Sequence, residues 1–145
     1  MDITANHIAD SVVDRLSALV ESGDLAFAIS ATRADYIEAL KDKSISNTPG
    51  VIVYAVPGTR TTRMPGKNWT SVCGVVIVVA SASSQQAHHL CNTAELAVFK
   101  RLRKWAIPGG DRVLPADIAP QVIIEGDIYA IITNYQTTEI IEINT

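Results

Sequence analysis

The stretch WTSVCGVVIVVASA, residues 69–82, decides how this chain folds. Val72, Val75, Val76, Ile77, Val78 and Val79 leave too few polar positions for a strand with one wet face. The pattern predicts a central strand, covered on one face and partly on the other. The same run is too short and too rich in β-branched residues to cross a bilayer as a helix, so no membrane contact is expected.

Upstream, SNTPG (46–50) breaks the chain and VIVYAV (51–56) reads as a neighbouring strand. Between the two strands lies PGTRTTRMPG (57–66), with two arginines, three threonines, two Pro-Gly steps and no acid. Two residues suffice to join neighbouring strands, whereas about a dozen are spent here, and long connections on small scaffolds tend to carry function. Arg60, Arg63, Met64 at the tip, Lys67 and Trp69 at the strand edge are therefore candidate contact residues. The plain alternative is a solvated turn.

Downstream, Ala87, Cys91, Ala94, Val98, Leu102 and Trp105 recur at spacings of 4, 3, 4, 4 and 3, the stripe of an amphipathic helix. SASSQQ offers hydroxyl caps at its start, and Pro108 with Gly109–Gly110 is read as its end. Lys100, Arg101, Arg103 and Lys104 crowd its C-terminal turn, where positive charge suits the helix dipole. Leu96 and Phe99 fall off the stripe among charged residues. They either wrap the edge of the core or meet another subunit, and with Arg103 they join the candidate interface.

An N-terminal helix is predicted between about Thr4 and Glu21 from Ile8, Val12, Leu16, Leu19 and Val20, stopped at Gly23, with Asp10, Asp14 and Arg15 in water. LAFAISATR (25–33) is a strand candidate, and ADYIEALKDK (34–43) could add a helical turn or two. Three β-like pieces finish the chain: QVIIE (121–125), IYAIITNY (128–135) and TTEIIEINT (137–145), with a turn at Gly126–Asp127 and a weaker bend near Asn134. The expected fold is α+β in a single domain over 1–145, with two amphipathic helices on one face of a mainly antiparallel sheet and a long projecting β-connection.

At 145 residues and 15.6 kDa, with 48% apolar residues, the chain can bury a core without metal or disulfides. A net charge of −3 argues against general coating of duplex DNA, although seven cations in the 60–67 and 100–104 segments could form a basic rim that passing nucleic acid touches. The N-terminus shows neither basic leader nor apolar segment, and Cys73 and Cys91 read as buried free thiols made in a reducing compartment.

Catalytic patterns are missing: no GxGxxG, Walker sequence, HExxH, GxSxG or CxxC occurs. His88, His89 and Cys91 spell HHxC, but on a helix only His88 and Cys91 share a face, two ligands where a tetrahedral metal needs more. No catalytic residue, cofactor or metal is expected, and an enzyme would need a deep pocket with convergent polar side chains.

In the order of its elements, IADSVVDRLSAL, VIVYAVPG, WTSVCGVVIVVASAS, AELAVFKRLRKW and TTEIIEINT, the chain resembles the tail terminator proteins of long-tailed bacteriophages and related minor tail and neck proteins. The resemblance implies a homo-hexameric ring in the virion, at the head-proximal end of the tail and assembled in the host cytoplasm. Such a ring caps the tail tube protein, ends its polymerisation and receives neck or connector proteins. It implies no individual functional residue. A head-tail connector or other oligomeric adaptor fits the same layout. For the 57–67 loop, subunit or tube contact is preferred over DNA in a channel.

Overall fold

The computed structural model describes residues 5–31, 36–42, 46–56, 60–61, 68–108 and 111–142. Its elements run α1 (Ala5–Glu21), β1 (Ala28–Ser30), α2 (Tyr36–Asp42), β2 (Gly50–Val56), β3 (Arg60–Thr61), β4 (Asn68–Ala82), α3 (Ala87–Leu102), β5 (Leu114–Pro115), β6 (Gln121–Glu125) and β7 (Ile128–Glu142). The strands form one sheet in the order β1-β2-β4-β7, with β3 also on β4 and both β5 and β6 on the outer side of β7. Only the β1–β2 pair is parallel.

From Val75 to Ala80 the central strand is dry on both faces, more than the partial cover expected of the second, while Val72 nearer its start is 47% exposed. Val75, Ile77 and Val79 point into a core shared with α1 and α3. Val76, Val78 and Ala80 point into a second cluster with Leu40 of α2, Ile52, Tyr54 and Ile132. The α+β expectation therefore holds, with the two long helices on one face; the short 36–42 segment adds a third helix on the other.

The stripe read from α3 is the stripe it buries: Ala87, Cys91, Ala94, Val98 and Leu102. Its first half is small-sided, so the helix lies close to β4, and the Cys91 Sγ reaches Ser81 Oγ at 3.3 Å. Two boundary readings change. The N-cap is Gln86 with no side-chain cap, so the hydroxyls of SASSQQ are not used. The helix ends at Leu102, before Pro108, and an Arg112 guanidinium nitrogen donates to the carbonyl of the capping residue Arg103 at 2.6 Å. Trp105, the last residue of the predicted stripe, lies beyond the helix and packs half-buried against the same core.

The bend expected near Asn134 does not occur. Asn134 sits opposite Val76 within an unbroken ladder from Asn68–Glu142 to Ala82–Ile128. Pairing with β4 on one side outweighs the weak local turn preference of a single Asn. Gly126–Asp127 does form a two-residue turn between Glu125 and Ile128, with Gly126 at φ 56°, a conformation that suits glycine. β1 is shorter than the 25–33 reading, although its pairing reaches back to Phe27, whose carbonyl accepts from the Val51 N–H at 2.9 Å and whose ring lies where a side chain at residue 50 would sit. Gly50 makes that approach possible.

Among the described residues one buried side-chain group is left unsatisfied: Thr137 Oγ1, opposite Cys73 in the long ladder, has no hydrogen-bond partner. Thr137→Val keeps the shape and removes the stranded hydroxyl. It should raise stability by about 1–2 kcal/mol, read as a higher thermal midpoint by circular dichroism.

Candidate interaction surface

Register places the exposed apolar residues. Val122 and Ile124 of β6 stand opposite Ile131 and Tyr129 of β7, which face the α1–α3 core, so all four share that face. β6 pairs only with β7 among the described residues, leaving its outer side free. Val122 is 52% and Ile124 64% exposed. Across the sheet, Ile118 and Ile123 line a cavity of about 560 Å³ with Tyr54, Val76 and Ile132. Four of the six exposed large hydrophobic residues, Leu114, Ile118, Val122 and Ile124, thus belong to one 11-residue stretch along one edge.

Beside this edge, α3 and β7 enclose a groove of about 320 Å³, lined by Asn92, Glu95, Leu96, Phe99, Pro115, Thr133 and Tyr135. Leu96 stands 52% exposed at its rim, while Phe99 packs partly buried against the core. Thr133 Oγ1 donates to Glu95 at 2.9 Å, tying helix to strand. Farther along α3, Asn92 donates to His88 Nε2 at 2.9 Å, which leaves the protonated Nδ1 to donate to the Tyr129 hydroxyl. His88 is therefore engaged with Tyr129 and Cys91 with Ser81, and burial pushes the Cys91 thiol up, away from the reactive thiolate.

Of the residues singled out in the 57–69 segment, Arg60 pairs through its backbone with Ser71, and Trp69 with Ile141. Arg63, Met64 and Lys67 lie outside the described residues. The β2 register, Val56 opposite Gly74, and the β3 register, Arg60 opposite Ser71, differ by one residue. Arg60–Thr61 thus continue along β4, and the link back to Asn68 is shorter than the full connection suggests. Arg103 is exposed, and its carbonyl is the one Arg112 caps.

The sequence reading passed over β6, because QVIIE has the composition of a buried strand. Its isolation at an edge follows only from the strand order. Arg15, read as facing water, is partly exposed but also donates from Nε to the Arg101 carbonyl at 3.0 Å, while Arg101 returns the same bond to the Arg15 carbonyl at 3.0 Å.

No protein-family model matches the chain, and no curated protein sequence does. Among solved structures, a chain from the virion of a native gene transfer agent (GTA) particle is similar, at 15% identity and a TM-score of 0.49, over 95% of each chain.

The groove has a titration signature. Burial, and then the Glu95 carboxylate, push Tyr135 from an ordinary 10.0 up to about 12. A raised phenol pKa means that the folded state holds the proton more tightly than the unfolded one. That contribution is complete below pH 10 and is lost as pH rises toward 12. Thermal midpoints measured across this range should fall for the wild type and fall less steeply for Tyr135→Phe.

Proposed function

We propose that the protein is a structural component of a phage-like virion, a tail terminator whose subunits close into a ring on the end of the tail tube. The observation that carries this reading is the apolar free edge built by β6 and its flanks. Edge strands of monomeric proteins are blunted by charge, proline or a covering element. β6 has only Glu125 at its end as a charged residue, and it presents Val122 and Ile124 to solvent. Such an edge suits burial against another chain, with the adjoining Leu96 and Leu114 widening the contact.

A ring needs two unlike surfaces on each subunit. The sheet ends in two unlike edges, the three-residue β1 and the β6–β5 side. Capping would then be a binding act without turnover: one face of the ring seats on the last tube ring, and the other offers no site for a further tube ring and receives neck proteins. On this reading the 57–67 connection, with Arg60, Arg63, Met64 and Lys67, contacts the tube or a neighbouring subunit; its Arg60–Thr61 piece pairs with β4.

Six subunits of 15.6 kDa give about 94 kDa, to be sought by light scattering and negative-stain imaging. Val122→Lys with Ile124→Lys should leave the fold within about 0.5 kcal/mol, since both side chains are exposed, yet shift the mass to that of the monomer. Rings that survive the double substitution would remove β6 from the interface. A wild type that stays monomeric and neither binds tubes nor limits their length would sink the terminator reading, and rings that leave tube growth untouched while holding a neck component would favour a connector.

Arg60→Glu with Arg63→Glu should keep the melting profile and weaken assembly or docking to the tube. Wild-type assembly would return the loop to a plain turn.

A further inference from the structure

We propose that the cleft between Arg15 of α1 and Arg101 of α3 is a binding site for a phosphate group. The cleft measures about 270 Å³ and is lined by Ser11, Asp14, Arg15, Arg101, Trp105 and Pro108. Each arginine spends its Nε–H on the other's backbone carbonyl, at 3.0 Å in both directions. That exchange holds the two guanidinium groups side by side across the helix pair and leaves the four Nη–H donors of each uncommitted to any described protein group. Among the described residues the one ion pair is Lys41–Glu38, so neither arginine has a carboxylate within 4.0 Å.

Two like charges fixed together repel, and the one acid in the lining, Asp14, forms no ion pair with either of them. Trp105 flanks the pair, its ring centroid 5.7 Å from the Arg15 guanidinium carbon, and supplies one wall. The surroundings add to the field: Lys100, Arg103, Lys104 and Arg112 are exposed around the same helix end, on a chain of net charge −3. The described acids nearby are Asp14 in the lining and Asp111, which is occupied with the Arg112 backbone N–H at 2.8 Å.

The stoichiometry of donors selects the ligand. A carboxylate is planar and offers one two-oxygen edge, which a single guanidinium fork matches. Two forks in one cleft match an oxyanion with three or more oxygens, which each can grip on a different edge. Phosphate is that ligand, either as the free ion or as a phosphate of a nucleic-acid backbone. The site lies within one subunit and does not depend on ring formation.

The test uses inorganic phosphate against chloride at matched ionic strength, read by calorimetry and by Trp105 fluorescence in a Trp69→Phe background. Saturable binding of one phosphate per chain is expected. Arg101→Lys keeps the charge but cannot hold the Arg15 carbonyl and also present a fork, so affinity should fall about tenfold, the cost of one charged hydrogen bond. Lys41→Gln, on α2 at the other face of the sheet, should leave affinity unchanged. Circular dichroism of each variant separates lost binding from lost folding.

A short oligonucleotide that competes with phosphate assigns the site to nucleic-acid backbone; failure to compete, with phosphate still binding, assigns it to the free ion. Either outcome upholds the site. No saturable signal, or an undiminished one in Arg101→Lys, overturns it, as does an acidic peptide that displaces phosphate at lower concentration.

Discussion

A strand buried on both faces needs two separate apolar layers, and meeting that need for Val75–Ala80 sets the rest of this architecture. The N-terminal helix and the helix that follows the strand cover one face. The other is closed by Leu40 of α2, a seven-residue helix inserted between the parallel β1 and β2. A parallel pair cannot be joined by a tight turn, so the crossover it requires is also what brings Leu40 to the second face. Removing water from both sides of β4 makes its backbone pairing obligatory. The fifteen-residue partner strand β7 answers it along the whole length.

The direction of α3 follows from the same strand. It starts five residues after Ala82 and runs back over β4 and β7, so His88 meets Tyr129, Glu95 meets Thr133 and Phe99 adjoins Tyr135. Read through the register, those contacts step along β4 from Ser81 toward Val75. The cationic end of the helix therefore lies toward the end of the sheet where β3 pairs with Thr70 and Ser71. The last carbonyls of a helix need donors; here the Trp105 N–H serves Leu102, and arginines elsewhere in the chain serve two more, Arg15 reaching Arg101 and Arg112 reaching Arg103. A molecule of net negative charge thus gathers much of its positive charge at one pole, with its exposed apolar residues along the sheet edge.

How much of this was legible depends on the range of the physics involved. The α3 stripe and the two-faced strand are local periodicities, and the residues they name are buried except Val72, which is 47% exposed, and Trp105, which is half-buried beyond the helix. Cap chemistry was less legible, because the SASSQQ hydroxyls have tertiary alternatives that spacing does not reveal. Asn134 misled for the opposite reason: its turn preference is local and weak, and the long ladder is neither. QVIIE and VIVYAV look alike in composition, yet Val53 is fully buried and Val122 is half in water. Strand order separates them, and strand order is a long-range property that composition does not carry. Arg15 reads as a solvated residue on an amphipathic helix until the carbonyl of Arg101, 86 positions away, is brought to it.

The apolar edge also limits which assemblies are self-consistent. If β6 met β6 of a second copy, the contact would be isologous and closed at two subunits, with nothing left to propagate around a ring. A ring instead requires β6 to meet a different surface of the next subunit. The β1 edge is short and its Ser30 hydroxyl is already bound to Asp10 of α1 at 3.1 Å, so it offers little backbone for strand addition. Contact through side chains, with Val122 and Ile124 laid against a neighbour's helical or loop surface, buries the apolar groups without asking β1 for hydrogen bonds it cannot supply. Assembly symmetry therefore bears directly on chemistry: a two-fold dimer would point to strand pairing at β6, and a higher cyclic ring to apolar packing across unlike faces.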